Sequence, residues 1–153
     1  MKIIKSIKVL KELISKVPKL GFVPTMGGIH KGHLSLIDKS IKKCDKTLVS
    51  IYVNPSQFNK RKDFLNYPRN ISRDLKILKS RKIDFIFIPK KKTLYSQKKT
   101  ISIHNKKNVL CGKFRKGHFE GVLKIIDIFL NIINPSYMFL GEKDFQQLFL
   151  IKS

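Results

Sequence analysis

The stretch that decides the fold runs from residue 20 to residue 44, LGFVPTMGGIHKGHLSLIDKSIKKC. It begins with a short apolar run over residues 20–24 and passes through a glycine-rich turn. Apolar residues then recur at helical spacing, at Leu34, Ile37 and Ile41. A buried strand, a tight turn and an amphipathic helix in this order predict the first half of a β–α–β unit, and therefore a parallel sheet.

The same alternation of strand and helix patterns continues on both sides of this stretch. Predicted helices cover residues 6–17, 71–81, 118–133 and 145–152. Predicted buried strands cover residues 47–53, 84–89 and 137–140. We expect residues 90–108 to be a solvated excursion, in which residues 100–104 could form a short strand. The sequence therefore predicts the α/β class, a doubly wound parallel sheet with right-handed crossovers, as one domain over residues 1–153.

The chain is short and strongly basic: it has 153 residues and a formal net charge of +23. Of its 33 cations, 28 are Lys, and 21 residues are Ile. Lys and Ile are both enriched when a genome drifts towards A and T, whereas base readers favour the planar fork of Arg. Drift is therefore our preferred interpretation of the charge. We expect no specific nucleic-acid partner, and a basic nucleic-acid binder remains the alternative.

Cysteine content and apolar run lengths indicate the compartment. The two cysteines, Cys44 and Cys111, are too few for a disulfide scaffold. No apolar run is long enough to span a membrane, and charges interrupt the apolar N-terminus where a signal peptide needs a continuous core. We expect a reduced, cytoplasmic protein with no membrane partner.

Chemistry-bearing residues follow three of the predicted strands, at residues 25–33, 54–58 and 141–144. In open α/β sheets, ligands bind at the carboxyl ends of the strands. The first segment holds His30 and His33 at the start of a helix, where free N–H groups and the helix dipole favour phosphate. Its glycines would let the backbone approach a ligand closely. The sequence therefore predicts a phosphate-binding turn.

Other interpretations of this histidine pair remain open. Two histidines could bind zinc, although no Cys or carboxylate stands at suitable spacing nearby. They could also be ordinary surface histidines. The turn is neither a Walker A motif nor a dinucleotide fingerprint, because GxxxxGK[ST] and GxGxxG are both absent.

His-x-Gly-His after the first buried strand resembles the nucleotidyl-transfer superfamily, which includes cytidylyltransferases and class I aminoacyl-tRNA synthetases. Four blocks in order narrow the resemblance: GFVPTMGGIHKGHLSLI, VSIYVNPSQF with DFLNYPRN, GKFRKGHFEGV and FLGEKDFQQLFLIK. Together they resemble the pantothenate synthetase (pantoate–β-alanine ligase) family over residues 21–152. The resemblance implies a Rossmann-like fold of the HxGH type.

The resemblance also implies an activity. The family forms pantoyl adenylate and pyrophosphate from ATP and pantoate, and the amine of β-alanine then displaces AMP to give pantothenate. Mg²⁺ would accompany ATP and be held mainly by its phosphates. The family is typically a homodimer. An enzyme of the same superfamily with another acceptor is the alternative.

Carried onto this sequence, the resemblance assigns ATP to two segments: Met26, Gly27, Gly28, Ile29, His30, Lys31, Gly32 and His33, then Gly141, Glu142, Lys143 and Asp144. His33, His30 and Lys143 would be catalytic. An imidazole can donate a hydrogen bond to phosphate oxygens as pyrophosphate leaves, and a mobile lysine can neutralise their growing charge.

Pantoate and β-alanine are assigned by the same resemblance to Gln57, Gln147 and Asn54. An amide can both donate and accept, which suits a ligand with hydroxyls and a carboxylate. In the third block, Arg115 and His118 would help to line the site, and Glu120 lies beside them.

The family's pattern continues beyond the last residue of this sequence. Its Ser-Ser-Arg-Asn segment and C-terminal domain have no counterpart in residues 1–153. We therefore expect an ATP- and pantoate-binding domain that is incomplete at its C-terminal end, either a fragment or an inactive truncated remnant. The lost sheet edge predicts poor stability of the chain alone.

Overall fold

The computed structural model describes residues 1–95 and 118–141, with the backbone alone for residues 118–120. Five strands are formed: β1 (Lys2–Ile4), β2 (Leu20–Thr25), β3 (Lys46–Ile51), β4 (Phe85–Phe87) and β5 (Tyr137–Met138). The helices are α1 (Ile7–Ile14), α2 (Lys31–Lys43), α3 (Arg61–Asn66), α4 (Ile71–Lys79), α5 (Lys91–Tyr95) and α6 (His118–Ile133). A 3₁₀ turn covers Pro55–Gln57.

All strand pairs are parallel, and the strand order is β1-β4-β3-β2-β5. From β2 the chain moves outward through β3 and β4, then returns to the other side of β2 to add β5. The order therefore reverses beside β2, the switch point at which α/β sheets bind ligands. The turns that follow β3, β2 and β5 lie side by side at that edge.

Helices cover both faces of the sheet, which confirms the doubly wound α/β prediction. On one face, Phe22 of β2 packs edge-on against Phe129 of α6, with ring centroids 5.5 Å apart. On the other face, its neighbour Val23 packs with Ile37 of α2 and Leu78 of α4. Successive side chains of a strand point to opposite faces, so β2 is apolar along its length because both faces are buried.

The elements that the sequence did not predict are short. The three residues of β1 extend the sheet by pairing with β4. Only Ile4 among them is buried, so the segment shows no alternating apolar pattern that could have predicted a strand. The polar stretch before Tyr67 contains the 3₁₀ turn and α3. Residues 91–95 form α5 around a fully buried Leu94, so the predicted solvated excursion is wrong there.

Several predicted bounds also differ from the structure. The first helix is Ile7–Ile14 rather than residues 6–17, and β3 ends at Ile51 rather than at residue 53. The strand predicted over residues 137–140 is only Tyr137–Met138, and it is not buried. The rest of the excursion and the helix predicted over 145–152 lie outside the described residues. None of the helices described is both long and apolar enough to cross a bilayer.

Candidate active site

The turn after β2 has a backbone that requires glycine. Gly27 and Gly28 have φ angles of 82° and 62°, in the left-handed region that residues with a Cβ rarely adopt. A Cβ on Gly27 would also lie 2.9 Å from Oδ2 of Asp74, below the turn. The two glycines therefore allow the chain to turn tightly between β2 and α2.

The backbone amides of this turn are engaged inside the protein. Gly27 N–H donates to Oγ1 of Thr25 (3.2 Å), and the Thr25 hydroxyl donates to the carbonyl of Ser50 on β3 (2.7 Å). Gly28 N–H and Ile29 N–H donate to the two carboxylate oxygens of Asp74, at 2.9 and 2.8 Å. In this turn, the groups that remain to contact a ligand would therefore be side chains and the first turn of α2.

The two histidines stack on each other at the start of α2. His30 is the N-cap residue, and its Nδ1 accepts from the N–H of Gly32 at 3.1 Å. Because Nδ1 accepts this bond, Nε2 is the ring nitrogen that can donate. The ring centroids of His30 and His33 are 4.1 Å apart. A Cβ on Gly32 would lie 2.9 Å from Cε1 of His30, so glycine between the histidines permits the stack.

His33 is held in its neutral form. Burial, and next the charge of His30, lower the pKa of His33 from 6.5 to about 4, and the Asp74 carboxylate opposes them. Its Nδ1 is buried and has no hydrogen-bond partner among the described residues. At neutral pH the pair can therefore stack without two adjacent positive charges.

The turn after β3 is built on a fully buried asparagine. Asn54 Oδ1 accepts from the N–H of Ser56 (3.2 Å) and the hydroxyl of Tyr95 (2.8 Å). Its Nδ2 donates to the carbonyl of Gly121 (2.9 Å) and to Oε1 of Gln57 (3.4 Å). These four bonds use the whole capacity of the amide, so we interpret Asn54 as the residue that holds Gln57 in place.

Gln57 connects the second turn to the first. Its Nε2 donates to the sulfur of Met26, which follows β2. Helix α6 packs on the same 3₁₀ turn so closely that a Cβ on Gly121 would lie 2.2 Å from the carbonyl oxygen of Ser56. The turns after β2 and β3 and the start of α6 therefore form one unit.

All three strand ends contribute to one cavity of about 200 Å³. His33 and Met26 line it from the turn after β2, Gln57 from the turn after β3, and Leu140 from the segment after β5. Its apolar wall is formed by four side chains of α6: Val122, Ile125, Ile126 and Phe129. The cavity combines one polar wall and one apolar wall, as is usual for sites that orient a small organic ligand.

Other predicted site residues lie elsewhere. Ile29 is buried in the core between the sheet and α2, and Lys31 lines a separate surface depression with Asp38 and Arg81. Gly141 is the last described residue of its segment. The predictions for Glu142, Lys143, Asp144, Gln147 and Arg115 fall outside the described residues, and His118 and Glu120 are described by their helical backbone alone.

Asp74 and Tyr95 were missed by the sequence analysis. Asp74 lies in the first turn of α4, where an acid is explained equally well by the helix dipole. Tyr95 falls in the predicted solvated excursion. In residues 1–95 and 121–141, no three His, Cys, Asp or Glu side chains come together as metal ligands.

The family model for pantoate-β-alanine ligases matches residues 2–153. The chain belongs to this family. It is 46% identical over 137 residues to pantothenate synthetase from Leptospira interrogans, covering 88% of this chain and 48% of that protein. It is 43% identical over 152 residues to pantothenate synthetase from Francisella tularensis subsp. novicida, covering 97% of this chain and 58% of that protein. The chain thus spans about half the length of the curated relatives it matches.

Solved structures of the family have the same fold. The crystal structure of pantoate-β-alanine ligase from Francisella tularensis, complexed with beta-gamma ATP and beta-alanine, matches with a TM-score of 0.93 at 42% identity, over 99% of this chain and 60% of that chain. Pantothenate synthetase from Thermus thermophilus matches with a TM-score of 0.91 at 30% identity, over 99% of this chain and 56% of that chain. Membership of the family is therefore shown by both sequence and fold.

Proposed function

We propose that this chain carries the adenylate-forming site of a pantothenate synthetase, an ATP-dependent ligase that joins pantoate to β-alanine. The observation that carries the proposal is the cavity at the switch point, which His33 of one turn and Gln57 of the next line together, with His30 stacked on His33. Membership of the pantoate-β-alanine ligase family supplies the substrates.

In the first step, a carboxylate oxygen of pantoate attacks the α-phosphorus of ATP. The new O–P bond forms as the bond to the bridging oxygen breaks, and pyrophosphate leaves with the electron pair. His30 and His33, stacked at the positive end of α2, would donate hydrogen bonds to the phosphate oxygens as their charge grows. Because His33 is neutral, it stabilises this charge as a hydrogen-bond donor rather than as a cation.

The cavity suits pantoate. Gln57 would bind the hydroxyl and carboxylate oxygens, and Asn54 would hold the Gln57 amide from below. The two methyl groups of pantoate would pack on the apolar wall of α6, at Val122, Ile125 and Phe129. Fixing the carboxylate between this wall and the histidines would orient it for in-line attack.

In the second step, the amine of β-alanine attacks the acyl carbon of the adenylate. The amide bond forms, the C–O bond to AMP breaks, and the amine loses a proton. The predicted roles of Gly141, Glu142, Lys143 and Asp144 towards ATP and of Gln147 towards pantoate complete the proposal. So do Mg²⁺ held by the ATP phosphates and a homodimer, both from the family resemblance, and a cytoplasmic location, which is expected from the cysteine content and the apolar run lengths.

The test is pantoate-dependent exchange of labelled pyrophosphate into ATP by the 153-residue chain. We expect exchange in the wild type and its loss by about a hundredfold or more in His33→Ala, because a donor to the developing charge is removed. Lys39→Ala, an exposed change on the same helix, is the matched control and should exchange normally. A folded wild-type chain without exchange contradicts the proposal and favours the inactive truncated remnant. Exchange with CTP in preference to ATP favours a related nucleotidylyltransferase.

A further inference from the structure

A buried carboxylate lies directly beneath the glycine turn of the site. Asp74 is only 2% exposed, and both of its oxygens accept hydrogen bonds, Oδ2 from Gly28 N–H at 2.9 Å and Oδ1 from Ile29 N–H at 2.8 Å. Hydrogen bonds between backbone amides and a carboxylate are short and strong because the acceptor is charged. The Asp74 side chain, on α4, therefore fixes two consecutive peptide units of the turn after β2, 45 positions earlier in the sequence.

Within the described part of the chain, no cation holds Asp74, although the sequence is rich in lysine. The ion pairs formed within residues 1–95 and 121–141 are Lys46–Asp84 and Arg81–Asp38, both at the surface. Asp74 is stabilised by the two amides and by its place in the first turn of α4, where the helix dipole favours a negative charge. A buried carboxylate without hydrogen-bond donors is costly, so Asp74 depends on the amides of the turn. The turn likewise depends on Asp74, because the carboxylate is the acceptor for those two amides.

The fit is specific to aspartate. The position of a Cβ on Gly27 is 2.9 Å from Oδ2 of Asp74, so the carboxylate fills the space under the turn. Glutamate would place its carboxylate about one bond length farther into the turn. Ile29, which donates to Oδ1, directly precedes the N-cap residue His30, so the same contact sets where α2 begins.

We propose that Asp74 is a positioning residue of the nucleotide site: it locks the turn after β2 so that His30 and His33 face the triphosphate. This inference rests on the proposed function. It also means that the amides of residues 28 and 29 are occupied by the protein's own carboxylate. The phosphates then contact the imidazoles rather than these amides, in contrast to a glycine-rich loop whose backbone holds phosphate directly.

The decisive variant is Asp74→Asn, which keeps the shape of the side chain. Its amide nitrogen cannot accept a hydrogen bond, so either Gly28 N–H or Ile29 N–H loses its acceptor. Asp38→Asn is the matched control, because it removes the same charge from a surface ion pair with Arg81. Both variants are compared at equal concentration of folded protein, measured by circular dichroism.

We expect kcat for pyrophosphate exchange to fall about tenfold to a hundredfold in Asp74→Asn, with the KM for pantoate changed by less than about threefold. The Gly28 and Ile29 amide protons should exchange with solvent at least about tenfold faster, as observed by NMR. A kcat within twofold of the Asp38→Asn control, per folded molecule, overturns the positioning role. So does an equal loss in kcat and in pantoate affinity, which would indicate general disruption.

The inference can be tested even if the chain shows no exchange, a result that would count against the proposed function alone. The affinity for a non-hydrolysable ATP analogue is then measured by calorimetry for the wild type and both variants. A loss of about tenfold in Asp74→Asn alone, together with faster exchange of the two amides, supports the role of Asp74. Unchanged affinity or unchanged amide exchange overturns it.

Discussion

At the scale of single residues, the site consists of a local motif supported by distant contacts. His30 and His33 are predictable because their spacing and the glycine between them are visible in one turn of sequence. Asp74 contacts residues 45 and 46 positions earlier in the chain, and Tyr95 contacts Asn54 across 41 positions. Contacts between residues so far apart produce no recognisable pattern among neighbouring positions. The histidine motif could therefore be predicted from the sequence, whereas Asp74, which holds the turn before it, and Tyr95, which holds Asn54, could not.

The neutral state of His33 predicts a pH dependence of stability. Its pKa is 6.5 in the unfolded chain and about 4 in the folded protein. The unfolded chain therefore binds more protons between these values, and the contribution of His33 is present above pH 6.5 and is lost as the pH falls towards 4. Urea unfolding at about pH 7 and about pH 5 should show a larger loss of stability in the wild type than in His33→Gln. Equal losses would show that His33 is not buried in its neutral form.

At the scale of elements, long periodic segments were predicted well, whereas several short elements were not. The alternation of apolar runs with amphipathic helices indicated β2, α2, β3, α4 and α6, because the two strands are buried on both faces and each helix buries a repeating face. By contrast, β1 exists because three residues pair with β4, and α5 because Leu94 enters the core. Elements this short are determined by tertiary contacts, which override the weak preferences of a few residues.

The packing of α6 on the 3₁₀ turn predicts the effect of Gly121→Ala. Alanine normally stabilises a helix interior relative to glycine by about 1 kcal/mol. Here the new Cβ would lie 2.2 Å from the carbonyl oxygen of Ser56, a backbone atom that cannot swing away. We expect the variant to be destabilised by roughly 1–3 kcal/mol in urea unfolding, as for other overpacked sites.

The control for this variant is Asn131→Ala, an exposed change on the same helix. It should alter stability by less than about 1 kcal/mol. The 3₁₀ turn carries Gln57, so Gly121→Ala should also raise the KM for pantoate. A Gly121→Ala protein as stable as the wild type would show that α6 does not contact the turn as described.

At the scale of the whole molecule, the strand order turns three separate stretches of sequence into one site. The parallel sheet and the importance of the strand ends were predictable, because each stretch follows an apolar run. That they become neighbours depends on the return of the chain to the far side of β2, which no local pattern encodes. No lysine of the described residues lines the cavity, and Lys31 lines a separate surface depression. Compositional drift remains our interpretation of the charge.

In the proposed reaction, pantoate is activated as an acyl adenylate in the cavity beside the histidine pair. The most direct measurement uses pantoate labelled with ¹⁸O in its carboxylate, incubated with ATP, β-alanine and the chain. If a carboxylate oxygen attacks the α-phosphorus, that oxygen stays on phosphorus when the amine displaces the nucleotide. We expect AMP carrying one ¹⁸O, detected by mass spectrometry. Unlabelled AMP, or ADP with labelled inorganic phosphate, would contradict it.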